Sequence, residues 1–132
     1  MIEFERYKLK NGLTVILHHD PTTPMAVVNT LYDVGARDEN EQKTGFAHLF
    51  EHLMFGGSIN VGDFDQELQK AGGESNAFTS NDLTNYYEII PANNIETALW
   101  LESDRMLSLA FTEKSLEVQK NVVIEEFKQR YL

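Results

Sequence analysis

Cysteine is absent from the 132 residues, proline occurs three times and tryptophan once. Without cysteine no disulfide can form, and a transition-metal site has to be built from His, Asp or Glu rather than thiolate. Basic residues are scarce too: 11 Lys and Arg stand against 21 Asp and Glu, a formal net charge of −10. Such a balance leaves no basic footprint for nucleic acid, which excludes that partner, and it suits basic peptides as well as plain solubility. No apolar run approaches the roughly 20 residues a helix needs to cross a bilayer, so no membrane span is expected. The opening Met1-Ile2-Glu3-Phe4-Glu5-Arg6 has no apolar signal-peptide core. The compartment stays open between cytoplasm and periplasm. What remains is a 42% apolar chain of a length that can form one core.

Within that chain His48-Leu49-Phe50-Glu51-His52 stands out. Two imidazoles four residues apart leave the same face of a helix and can grip one ion. Glu51 falls between them, beside the metal rather than in line with the ligands, where a general base has to stand. This H-x-x-E-H order is the inverse of the commoner H-E-x-x-H and is the inverzincin signature. Phe46, Ala47, Leu49, Phe50, Leu53, Met54 and Phe55 surround it, so the spacing predicts a helix sunk in a core and ended by Gly56-Gly57. Zinc needs a third protein ligand, and His18, His19 or a carboxylate are the candidates. Of the adjacent acids Glu125 and Glu126 on the last helix, Glu126 follows Val122 and Val123 by four and three residues and so shares a face with them. It is the acid expected to point inward.

The remaining segments read as alternating elements. Tyr7 to Leu9 and Leu13 to His18, joined through Asn11-Gly12, predict a hairpin. Met25 to Val34 is nearly continuous in apolar and β-branched residues and is expected centrally in a sheet. A short helix follows from about Gly62 to Lys70, ended by Ala71-Gly72-Gly73. Ser75 to Ser80 and Leu83 to Ile90 predict two strands, the second stopped by Pro91. Asn94 to Leu109 and Glu113 to Tyr131 predict two helices. The order indicates an α+β fold, a largely antiparallel sheet covered by a layer of helices, with the metal site on a helix.

Six stretches in this order carry a resemblance: Leu9 to Val15, Val34 to Glu39, Gly45 to Ser58, Ala71 to Thr79, Asp82 to Tyr87 and Val122 to Glu126. The chain resembles the N-terminal part of the pitrilysin and insulin-degrading enzyme family of zinc peptidases, closest to the mitochondrial processing peptidase branch and its bacterial relatives. The resemblance implies one zinc ion per chain, held by His48, His52 and Glu126, with Glu51 as general base. It implies that Asn76, Ala77, Phe78 and Thr79 form an edge strand that pairs with an extended peptide or unfolded protein substrate, which is β-augmentation. Where members often carry an outer Glu seven residues before the third ligand, this chain has Gln119, which can hydrogen-bond but brings no charge. Family members resemble two homologous halves of roughly 400 residues or more in all. Residues 1–132 are therefore expected to be the N-terminal metal-binding part of one peptidase domain, a fragment that needs its missing C-terminal half or a partner subunit. The final helix also ends without a Gly or Pro exit signal.

Two functions follow from this reading. One is a zinc-dependent endopeptidase domain in which water attacks a polarised peptide carbonyl and Glu51 takes the proton. The alternative is a catalytically silent partner subunit or peptide-binding module of the same fold. The complete His-Glu-His set favours the first.

Overall fold

A computed structural model describes residues 2–131. Strands β1 (Glu5–Lys8) and β2 (Thr14–Leu17) form an antiparallel hairpin by themselves. Its turn closes where Asn11-Gly12 placed it: Gly12 N donates to Leu9 O at 2.9 Å, Leu9 N donates to Leu13 O at 2.8 Å, and Gly12 takes φ 94°. Strand β3 (Met25–Tyr32) leads through a loop to helix α1 (Phe46–Leu53), then α2 (Phe64–Lys70), β4 (Glu74–Thr79), β5 (Thr84–Pro91), α3 (Ile95–Leu107) and α4 (Glu113–Tyr131). The main sheet is antiparallel in the order β3-β5-β4, with Met25 opposite Pro91 and Thr79 opposite Thr84 at the ends of its ladders. This is the expected α+β arrangement of helices over an antiparallel sheet.

The expectation that β3 lies centrally is corrected. Within the described residues β5 is the central strand, and β3 and β4 are its two edges. Burial explains the difference: β5 is covered on both faces at most positions, whereas β3 alternates between exposed and half-buried, with Val27 62% and Leu31 57% exposed. The apolar run in β3 was read as two buried faces, and only one of them is covered here.

Helices α2 and α3 seal one end of the covered face. Asp63 caps α2 by accepting Gln66 N at 2.9 Å, which fixes the entry of Phe64 and Leu68 into the core. These two pack with Val61, Ile90, Ala98 and Leu101, all buried. Full burial of side chains this size stabilises by about 1.5–3 kcal/mol each.

Beside this core lies a charged cluster. Arg105 is buried with its guanidinium carbon 4.3 Å from the Phe64 ring centre and 4.4 Å from that of Tyr86. It donates to Glu88 at 3.1 Å and also to Glu102. Two carboxylates facing one cation in a dry site cannot both ionise cheaply. Burial first, then the hydrogen bond with Glu102, pushes the Glu88 carboxyl from 4.5 up to about 9. The folded-state value is raised, so the folded chain keeps a proton that the unfolded chain releases. The contribution to stability is fully present below about pH 4.5 and is lost as pH rises through about 9. Urea midpoints should therefore fall across that window, and Glu88→Gln should flatten the fall. A level wild-type profile would mean that the Glu88 carboxyl releases its proton over the same pH range in the folded and unfolded chain.

Candidate metal centre

Helix α1 begins at Gly45, whose φ of 93° lies in the left-handed region and whose lack of a side chain leaves the first amides uncapped by the residue itself. Glu39 supplies the cap from six residues upstream: its carboxylate accepts Gly45 N and Ala47 N, each at 2.7 Å. An acid at a helix N-terminus also complements the helix dipole, and caps of this kind are worth about 1 kcal/mol. Upstream, Gly35 allows close packing on the β4–β5 turn, since a Cβ there would lie 2.5 Å from Asn81 O. Arg37 N donates to Asn81 O at 2.9 Å across the same seam. The start of α1 is thereby tied to the turn that follows Thr79.

The expectation of a deeply buried α1 is corrected. Ala47 and Leu53 are buried, but Phe46 and Phe50 are 49% and 48% exposed and line an apolar cavity of about 480 Å³ with Tyr32, Met54 and Tyr86. The helix lies between the sheet and α4, so one apolar stripe is covered and the other is not.

His48 and His52 leave α1 toward α4. Their Nε2 atoms are 3.2 Å apart, and Glu126 Oε2 lies 3.2 Å from the first and 3.5 Å from the second. In the same place His52 Nδ1 donates to Gln119 Oε1 at 3.3 Å. That bond puts the proton on Nδ1 and leaves Nε2 with its lone pair. Three electron-rich atoms thus converge, and they repel unless a cation or protons lie between them. For zinc bonds of about 2.0–2.1 Å in tetrahedral geometry, ligand atoms stand about 3.3 Å apart. The observed spacings match that edge, so the residues present fit a zinc ion. Side-chain exposures of 37%, 21% and 45% for His48, His52 and Glu126 leave the group reachable from solvent.

The turn-to-turn geometry of α4 explains why these two residues serve. Ser115, Leu116, Gln119 and Val123 are its half-buried positions among the described residues, and Glu126 continues the stripe of the last three. Gln119 and Glu126 are seven residues apart, two turns, and so both reach α1. Glu125 points elsewhere and pairs with Lys128 at 2.6 Å. His18 and His19 are not in the group; His18 Nδ1 contacts Glu3 O at 2.6 Å near the end of the hairpin.

Glu51, Ala77, Phe78, Thr79, His48 and Glu126 border one open cavity of about 960 Å³. Glu51 is not one of the three converging ligands. Its Oε2 accepts the hydroxyl of Thr79. Strand β4 is an edge, as expected for the Asn76–Thr79 segment, and its residues split between two faces. Ser75, Ala77 and Thr79 are half-buried toward the helices, whereas Asn76 and Phe78 project from the other face. The outer edge is partly satisfied already, because Ala77 N donates to Asn76 Oδ1 at 2.8 Å. Reasoning from sequence missed the Glu39 cap and the Thr79 bond. For Glu39 the only signal was a helix start, Thr44-Gly45, with no capping side chain of its own.

Known proteins resemble this chain over nearly its whole length. The model of the insulinase family, peptidase family M16, matches residues 14–130. The chain is 38% identical over 129 residues to the zinc protease PqqE of Helicobacter pylori, covering 96% of this chain and 29% of that protein. It is 34% identical over 121 residues to the mitochondrial-processing peptidase subunit beta of Saccharomyces cerevisiae, covering 90% of this chain and 26% of that one. The crystal structure of a protease from Helicobacter pylori superposes with a TM-score of 0.91 at 37% identity, over 98% of this chain and 32% of the other. Pitrilysin superposes with a TM-score of 0.87 at 24% identity, over 98% of this chain and 14% of the other, which speaks to fold alone. The chain spans about three-tenths of the length of the curated relatives it matches.

Proposed function

Since the chain belongs to the insulinase family of peptidases, M16, we propose that it is the metal-binding part of a zinc-dependent endopeptidase, with one zinc ion per chain held by His48, His52 and Glu126. The observation that carries this reading is the set of 3.2, 3.2 and 3.5 Å spacings among the three ligand atoms. When bound, zinc supplies Lewis-acid polarisation of a peptide carbonyl and a lowered pKa for water. Gln119 orients His52 through Nδ1 and brings no charge. Glu51 takes the proton from the attacking water. The outer edge of β4 aligns an extended peptide by backbone hydrogen bonds, with Asn76, Ala77, Phe78 and Thr79 as the segment nearest the site. Residues 1–132 act as the N-terminal part of a longer peptidase, completed by a C-terminal half or a partner subunit that helps to enclose the substrate. A peptide or unfolded protein is the substrate, and the acidic net charge supports a preference for basic ones. The second reading is a silent partner subunit or peptide-binding module of the same fold.

A zinc titration coupled to a peptide-cleavage assay separates the two, and the paired acids sharpen it. Glu126→Gln should weaken zinc binding far more than Glu125→Gln, because a neutral amide replaces an anionic ligand in the first case and an exposed ion-pair partner in the second. Equal losses would remove Glu126 from the site. Zinc bound by the full-length gene product without cleavage of any unstructured peptide would favour the silent reading.

A further inference from the structure

We infer that Thr79 is a positioning residue for Glu51, holding the base through a hydroxyl-to-carboxylate hydrogen bond, and not a substrate contact. The inference rests on the peptidase reading and goes beyond it by moving Thr79 from the peptide to the base. Three observations carry it. Thr79 lies on the helix-facing side of β4, opposite Thr84 in the ladder with β5. Its Oγ1 has two polar neighbours, Glu51 Oε2 and Thr84 Oγ1, the latter at 3.4 Å. The Thr84 hydroxyl spends its proton on Val34 O at 3.0 Å. A carboxylate only accepts, so the single Thr79 proton goes to Glu51.

The consequence for the base is geometric. Glu51 sits on a helix and has three rotatable bonds, and a half-buried carboxylate without an anchor samples several rotamers. With Oε2 held by Thr79, the second oxygen is the one left to take a proton. The anchor is itself rigid. Thr79 is the last residue of β4 before the Ser80–Leu83 turn, where Ser80 N donates to Leu83 O at 2.9 Å, and that turn is fixed to Ala36 and Arg37 by backbone bonds of 3.3 and 2.9 Å. The substrate edge and the anchor of the base thus share one strand, with Ala77 and Thr79 two residues apart.

The test uses the full-length gene product with Thr79→Val, which keeps the β-branched shape and removes the hydroxyl, and Thr79→Ser, which restores it. In metal-free protein carrying ¹³Cδ-labelled glutamate, the Glu51 carboxyl resonance, identified by its loss in Glu51→Gln, should move in Thr79→Val and stay in Thr79→Ser. In zinc-loaded protein cleaving an unstructured fluorogenic peptide, Thr79→Val should lower kcat between about ten- and a hundredfold, the scale of one hydrogen bond to a charged group. KM should hold within about twofold and zinc content should not change, while Thr79→Ser keeps most of kcat. An unmoved Glu51 resonance in Thr79→Val overturns the contact. A higher KM with unchanged kcat overturns the positioning role and returns Thr79 to the substrate. A wild type that binds zinc and cleaves nothing sinks the peptidase reading and the positioning role with it, and the carboxyl resonance separates that outcome from a missing contact.

Discussion

His48→Ala and His52→Ala should each lower zinc affinity by more than about a hundredfold, since a site of three protein ligands is cut to two, one on each helix. Each imidazole contributes one of three atoms that lie 3.2 to 3.5 Å apart, and no other His is within reach, since His18 and His19 lie outside the group. Glu51 is not among the three converging side chains, and its Oε2 accepts the Thr79 hydroxyl instead. The loss should be greater for His52 in one respect: its Nδ1 is oriented by Gln119 at 3.3 Å, so removing the ring also discards the preorganisation that bond provides. Isothermal calorimetry measures this directly, and unchanged affinity in either variant would remove the histidines from the site.

Glu51→Gln should leave zinc content near normal and cut peptide turnover in the full-length gene product by at least about a hundredfold, the usual scale for losing a general base. Gln is close to Glu in size and can still accept the Thr79 hydroxyl, so the side chain stays in place while its basicity is gone. That separates chemistry from packing. Metal analysis showing zinc lost along with turnover would make Glu51 a ligand, and turnover retained would leave the reaction without this base. The isolated 132 residues should bind zinc yet cleave poorly, since orientation of the peptide is worth several orders of magnitude and the exposed cavity around Glu51 does not provide it alone.

The histidine pair was legible because one periodicity, four residues per face, decides it. Glu126 was legible for a related reason: Val123 marked the inward stripe of α4, and Glu126 follows it by three. Val122 was a poorer guide, being 38% exposed. Strand identities and the Asn11-Gly12 turn also followed from local chemistry. What did not follow was relational. The position of β3 depends on which strand pairs with its outer edge, and an apolar run cannot distinguish a central strand from an edge that carries apolar residues on both faces. The exposure of Phe46 and Phe50 depends on what covers them, which no local pattern encodes. The resemblance assigns Thr79 to a substrate segment, and no local pattern encodes that its hydroxyl also meets Glu51, 28 residues earlier on a helix.

The three converging side chains come from two helices far apart in the chain, His48 and His52 on α1 and Glu126 on α4. From His52 to Glu126 the chain runs 126 − 52 = 74 residues. An ion held by these side chains would close that whole stretch into a ring, in a stretch of chain that has no cysteine. Because the three side chains converge only in the folded chain, the free energy of binding such an ion would add directly to the stability of that stretch. Strands β4 and β5, with helices α2 and α3, all lie inside the ring. The residues proposed to hold zinc would therefore also staple the sheet edge to the helices that cover it, and a chelator should lower the melting temperature of the zinc-loaded chain.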